Sequence, residues 1–175
     1  MKTPLAEVAT QLDTHVPHSW FPVWKHAMLR VRTGQAVEFV DITDQLEAFL
    51  RTTGVSVGLV NVQAIHTTTG VVINENEPLL LRDFRETLHK AAPPDGVYQH
   101  DDVRLRTVNL TTDERINGHA HCQAVLLGAT ACLNVVNGVL QLGRWQRVFL
   151  AELDGPRERG ISVLVLGVGC RAHTG

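Results

Sequence analysis

Cysteine and aromatic residues are sparse in this chain of 175 residues: Cys122, Cys132 and Cys170 are its three thiols, and aromatics make up 5%. The thiols are odd in number, widely spaced and contain no C-x-x-C pair, which argues against a disulfide framework and against a thiolate zinc knuckle. They read as reduced and mostly buried. Long apolar runs are missing as well. None approaches the roughly 20 residues of a membrane-crossing helix, and the first residues lack the basic-then-apolar pattern of a secretory signal. A cytoplasmic protein without a membrane partner is the expectation. Neither sign of charge dominates, with 16 Lys and Arg against 18 Asp and Glu for a formal net charge of -2. The two signs are interspersed, so the chain carries no basic footprint for nucleic acid. Glycine-rich phosphate loops of the G-x-G-x-x-G or G-x-x-x-x-G-K-[ST] type do not occur between a strand and a helix, which argues against nucleotide binding by those routes.

What the chain does have is apolar content and histidine. At 44% hydrophobic it can bury a core without disulfide or metal support, as one domain. Residues 1–22 read as an irregular or weakly helical arm ended by Pro17 and Pro22, with His15 and His18 solvated, and residues 23–175 as the domain. Alternation of Ala27, Leu29 and Val31 with Met28, Arg30 and Arg32 predicts a half-buried strand. Gly34 permits a turn into a second strand, residues 36–40, paired with the first as a hairpin. Thr43 suits the N-cap of a helix carrying Leu46, Phe49 and Leu50 on one face, closed by Gly54. Strands follow at 55–65 and 71–73, then a helix opened by Pro78 with Leu80, Leu81, Phe84 and Leu88 inward. The stretch from Tyr98 to Asn117 reads as a long functional loop, in which Val103, Leu105, Val108 and Leu110 could form an edge strand. A short helix from His119 to Leu127, capped by Asn117 and closed by Gly128, leads into strands at 129–136, 139–142, 145–153 and 161–168, with Asn137-Gly138 as a type I′ turn. Paired strands separated by single helices predict an α+β domain: a largely antiparallel sheet with helices packed on one face.

Nine histidines make their positions worth tracing. His66 ends an apolar strand and is followed by Thr67-Thr68-Thr69-Gly70, a loop able to offer hydroxyl and backbone N–H donors to a phosphate. His100 sits in the long loop beside Asp101 and Asp102, which could fix its tautomer as acceptors. His121 lies on the short helix. Three imidazoles from separate elements suit a metal site with an open position for water or substrate; the bland reading is surface or core histidine. His119 precedes His121 by two and points to another helix face. Glu75 beside Asn74 is a candidate general base or carboxylate ligand with an orienting amide, or else an ordinary helix-start carboxylate. Arg157 and Arg159 offer planar donors for phosphate, or belong to a solvated turn. Trp145 covers a core edge or subunit contact, or stacks on a flat ligand ring.

Several motifs in order extend this reading: Asp41-Ile42-Thr43, His66-Thr67-Thr68-Thr69-Gly70, Ile73-Asn74-Glu75, Tyr98-Gln99-His100-Asp101, Asn117-Gly118-His119-Ala120-His121, Leu126-Leu127-Gly128, Leu142-Gly143-Arg144-Trp145-Gln146 and Asp154-Gly155-Pro156-Arg157-Glu158-Arg159. Together they resemble the small YjbQ-like proteins, some described as secondary thiamine-phosphate synthases, over residues 24–169. The resemblance implies an α+β subunit in a homotrimer, with His66, His100 and His121 near a subunit boundary and holding a divalent metal. It implies an activity joining an aminopyrimidine methyl pyrophosphate to a thiazole phosphate. Glu75, Asn74, His66 and Trp145 would then be catalytic, and Thr67, Thr68, Arg157 and Arg159 would bind the small phosphorylated metabolite. Magnesium is the metal expected for pyrophosphate chemistry and zinc the one expected from three imidazoles. Alternatives are a metal-dependent hydrolase with Glu75 as base, or a non-catalytic trimeric metabolite-binding protein. The chain departs from the family pattern at Thr69, Arg144 and Leu133-Asn134. Arg144 is expected to narrow the mouth of the site or add an anion contact.

Overall fold

The computed structural model describes residues 20–113 and 115–170. Strand β1 (Trp20–Arg32) is followed by β2 (Glu38–Asp41), α1 (Thr43–Thr53), β3 (Val55–Ala64), β4 (Thr69–Glu75) and α2 (Pro78–Ala91). A single 3-10 turn (Gln99–Asp101) interrupts the long loop before α3 (Gly118–Leu127), and β5 (Thr130–Val136), β6 (Val139–Leu140), β7 (Gln146–Glu152) and β8 (Glu158–Cys170) complete the chain. The sequence boundary at residue 22 falls inside β1, because Trp20, Phe21 and Pro22 pair with Cys170, Gly169 and Val168. His15 and His18 lie outside the described residues.

The class is α+β with antiparallel pairing, as expected, but the strands divide into two sheets. The larger runs β1-β8-β3-β5-β6 and the smaller β2-β7-β4. The predicted hairpin of the first two strands does not form. Instead β1 pairs along its whole length with β8, and β2 pairs with β7 in the other sheet. The connecting turn is held for that crossing: Thr33 N–H donates to the Arg157 carbonyl at 3.0 Å, and Gly34 N–H donates to the Glu38 carboxylate at 2.6 Å.

The core lies between the two sheets. Val60, Val62, Val163 and Val165 of the larger sheet meet Val71, Val148 and Leu150 of the smaller, and α1 closes the gap with Leu46 and Leu50. The alternate positions of β7, with Ala151 among them, face Leu88 of α2 and Ala120 and Ala124 of α3. Helices α2 and α3 therefore cover the far face of the small sheet. No described element covers the far face of the large sheet, where Trp24, Leu166 and Leu59 are exposed on three neighbouring strands.

Local signals mostly hold. Gly54 closes α1 with φ +71, Gly128 follows α3, and Asn137 and Gly138 both take positive φ between β5 and β6. Thr43 is not the N-cap of α1: Ile42 is, and the Thr43 hydroxyl accepts from Val148 N–H at 2.8 Å inside the core. Glu77 caps α2, its carboxylate accepting from Leu79 and Leu80 N–H. Val103, Leu105, Val108 and Leu110 form no strand and are exposed. Cys122 and Cys132 are exposed rather than buried, one on the outer side of α3 and one on the large sheet. The side chain of Cys170 lies outside the described set.

Candidate functional site

Strand β3 delivers His66 one residue past Ile65, and β8 fixes the ring: Gly160 N–H donates to His66 Nε2 at 2.8 Å. An imidazole nitrogen that accepts is unprotonated, so the ring proton of neutral His66 sits on Nδ1. Burial lowers the pKa of His66, and the nearby Arg159 and Arg157 charges lower it further against Glu152. Thr69 is buried, its hydroxyl donating to the His66 carbonyl at 3.2 Å. Thr68 is also buried and accepts from Arg159 Nη2 at 3.1 Å. The Thr67 side chain is exposed at the rim.

The two predicted phosphate-binding arginines differ sharply. Arg159 is 3% exposed and grips Glu152, itself fully buried, with Nε to Oε2 at 2.6 Å and Nη2 to Oε1. Glu152 accepts in addition from the Thr33 hydroxyl and from Leu153 and Asp154 N–H. Burial pushes its carboxyl up, but Arg159, Asp154 N–H and Thr33 outweigh that and hold it below the usual carboxylate range. Arg159 is therefore largely committed inside the protein. Arg157 is part-exposed and anchors only Nη2, which reaches the Asp154 carbonyl at 2.8 Å and its Oδ2 at 2.9 Å. Asp154 is a hub: its Oδ2 also accepts from Asn117 Nδ2 at 2.9 Å, and its carbonyl accepts from Arg115 Nη1 at 3.1 Å. Three guanidinium groups (Arg115, Arg157, Arg159) thus face two carboxylates (Glu152, Asp154), leaving one positive charge in the network.

Of these groups Asn117, Asp154, Arg157 and Arg159 line a pocket of about 310 Å³, together with Ile65, His66, Thr67 and Thr68. Asn117 connects it to the other histidines, since its carbonyl begins α3 by accepting from His121 N–H at 3.2 Å. The rings of His121 and His100 stand 4.5 Å apart, tilted by 59°. His121 is shifted to a lower pKa by burial and by His100 and Arg106, with Asp154 and Asp101 opposing. His100 Nε2 faces Arg106 Nη1 at 3.3 Å; a guanidinium only donates, so this nitrogen accepts.

The predicted tautomer-fixing role of Asp101 and Asp102 is not what they do. Asp101 Oδ1 accepts from Asn117 and Gly118 N–H and so caps α3, while Asp102 pairs with Arg104. Nor does one subunit gather three imidazoles around an ion. His100 and His121 meet, His66 belongs to the neighbouring pocket, and among the described residues no three His, Cys, Asp or Glu side chains form a group able to hold a metal. With Nε2 of His66 and of His100 already accepting hydrogen bonds, these donors do not fit a three-histidine centre as they stand.

Asn74, Glu75 and Trp145 are placed elsewhere. Thr69 pairs with Glu152 at the His66 end of β4, whereas Glu75 pairs with Gln146 at the other. At about 3.3 Å per residue the two ends are roughly 20 Å apart. Asn74 Oδ1 accepts from Glu75 N–H at 2.9 Å, and Trp145, 60% exposed, is covered by the Arg144 guanidinium at 4.6 Å. Arg144 therefore sits on Trp145 and not at the mouth of the His66 pocket.

The family model described as UPF0047 protein YjbQ-like matches residues 27–168. This chain belongs to the YjbQ-like UPF0047 family. A UPF0047 protein of Methanothermobacter thermautotrophicus is 40% identical over 139 residues, covering 79% of this chain and 90% of that one. One from Archaeoglobus fulgidus is 41% identical over 138 residues, covering 79% and 98%. Among solved structures, a YbjQ-like protein of unknown function from Sulfolobus solfataricus superposes with TM-score 0.76 at 34% identity, over 84% of this chain and 99% of its own. Within the YjbQ-like fold the sequence reading missed Glu152, Asp154, Asn117 and Arg115. A signal for the first two existed: acidic residues at 152 and 154 and arginines at 157 and 159 share a period of two on either side of Gly155-Pro156.

Proposed function

We propose that this YjbQ-like protein is a transferase acting on a small phosphorylated metabolite, with the thiamine-phosphate synthase reaction as its reaction type. The observation that carries the reading is the pocket around His66. It has room for a phosphate group, the Arg157 guanidinium with a buried Nε that has no hydrogen-bond partner, a neutral imidazole with a proton on Nδ1, and the Thr67 hydroxyl at its rim. In that reaction the bond from the pyrimidine methylene to pyrophosphate oxygen breaks, both electrons leaving on the oxygen, and the thiazole nitrogen lone pair forms the new C–N bond. Positive charge develops on carbon and negative charge on the departing group, so the protein must stabilise the anion and exclude water. Arg157, Thr67 and His66 Nδ1–H are the donors for the anion; Arg159 and Glu152 hold Thr68 and the pocket wall. No step is assigned to a metal, because Nε2 of His66 and Nε2 of His100 each already accept a hydrogen bond.

The same reading makes the protein a homotrimer. Supporting it are the outer face of the large sheet, which no described element covers, and the distance of Asn74, Glu75 and Trp145 from His66, which a neighbouring subunit's copies would make up. The test is incubation of the purified protein with the two substrates, following pyrophosphate release and thiamine phosphate by chromatography. Product formation that falls at least tenfold in Arg157→Ala supports the proposal. Tight pyrophosphate binding without product would favour the metabolite-binding alternative, and neither binding nor product overturns both.

A further inference from the structure

A second cavity lies on the other side of the small sheet and is unlike the His66 pocket in chemistry. It occupies about 150 Å³ between β2, β4, α2 and α3, with Phe39, Val72, Phe84, Leu88 and Leu127 as its apolar walls and two exposed polar residues, Asn74 and Thr87, at its mouth. Phe39 and Phe84 meet edge to face, ring centroids 5.7 Å apart at 62°. Its lining includes no Lys or Arg, so a phosphorylated ligand has no counter-charge here. The cavity adjoins the C-terminal end of α3. Leu127 is six residues beyond His121, about 9 Å along the helix axis at 1.5 Å per residue.

Size and chemistry define what fits. A mostly apolar pocket of about 150 Å³, open on one side, is large enough to admit one benzene-sized molecule. Two phenyl walls already in a T-shaped pair present both edge and face to a third ring, an arrangement that adds to burial of area alone. Asn74 supplies direction. Its Oδ1 is occupied by Glu75 N–H, which leaves the Nδ2 amide protons as the donors it can offer to a ligand. We propose that this cavity is a binding site for a neutral six-membered ring bearing one hydrogen-bond-accepting substituent, a hydroxyl or carbonyl, that reaches Asn74. This ligand class differs from the phosphorylated metabolite of the His66 pocket; Asn74 is common to both readings, and binding of uncharged ring probes is read independently of transferase activity.

The test is a titration of the full chain, methyl-labelled at Val and Leu, with benzyl alcohol and with toluene, followed by NMR. Expected are saturable shifts at the Val72, Leu88 and Leu127 methyls in the millimolar range or tighter, with benzyl alcohol binding more tightly than toluene. Val72→Phe, which fills the space, should weaken both probes at least tenfold. Asn74→Leu should weaken benzyl alcohol several-fold and leave toluene unchanged, and this comparison stands even if Val72→Phe does not fold. Absence of saturable shifts with both probes would show a packing void and overturn the proposal. So would binding untouched by Val72→Phe, or equal weakening of both probes in Asn74→Leu.

Discussion

Arg159 shows how a side chain's chemistry can be read correctly and its partner missed. A planar bidentate donor was expected, and it is one, but its acceptor is the buried Glu152 and not a ligand. A buried pair of this kind costs most when half of it is removed, because a charge is left without compensation. Arg159→Met alone is expected to destabilise the fold by about 3–5 kcal/mol, while Glu152→Leu with Arg159→Met together costs much less, as read by urea denaturation. Pyrophosphate affinity should survive in that double variant and fall roughly tenfold to a hundredfold in Arg157→Ala, the loss of a charge-assisted hydrogen bond, as read by calorimetric titration. The histidines carry a pH prediction. Burial lowers the pKa of His66 and of His121, so both are neutral at pH 7 and titrate below the ordinary value of about 6.5. As pH falls, the unfolded imidazoles take protons first. Their contribution to stability is therefore fully present above about 6.5 and is lost as pH drops through that value toward the folded pKa. Ring-resonance titrations by NMR should give midpoints below that of a free imidazole, and the denaturation midpoint should decline between pH 7 and pH 5.

At the scale of elements, α3 decides where the histidine pair stands, and glycines let it approach its neighbours. A Cβ on Gly118 would lie 2.5 Å from Tyr98 Cβ, and one on Gly70 would lie 2.8 Å from Leu127 Cβ. The first contact seats the start of α3 on the segment carrying His100, and the second seats its end on β4. Gly118→Ala should thus cost about 1–3 kcal/mol and separate the His100 and His121 rings. Asp101→Ala, which removes the acceptor for two N–H groups at the start of α3, should cost about 0.5–2 kcal/mol. Thermal denaturation measures the first quantity in each case, and shift changes at both imidazoles report the second. Element identity was legible because periodicity and capping are local; partners were not. Thr43 has the composition of an N-cap, yet the Val148 N–H across the core competes for its hydroxyl and wins. The first two strands alternate as a hairpin would, yet their hydrogen bonds go to β8 and β7.

At the scale of the whole molecule, the outer face of the large sheet, which no described element covers, calls for a partner. Trp24, 73% exposed, pairs across to Leu166, and Leu166 to Leu59, which makes an apolar stripe over three strands. Contiguous apolar surface of this kind marks an interaction site. Light scattering is expected to give a three-chain mass, and Trp24→Lys with Leu166→Lys to give a single-chain mass with the fold retained by circular dichroism. A monomeric wild type would remove the subunit sharing invoked for Asn74, Glu75 and Trp145. The sequence by itself determined the α+β class, the caps at Gly54 and Gly128, the Asn137-Gly138 turn, and the family, since each rests on local patterns or on motifs in order. Only the tertiary structure decided that the strands form two sheets, that Asn117 and Asp154 line the His66 pocket while His121 meets His100, and that Glu75 stands at the far end of β4. The reason is physical: hydrogen-bond partners across a sheet are chosen by total burial and register, quantities that no short stretch of chain contains.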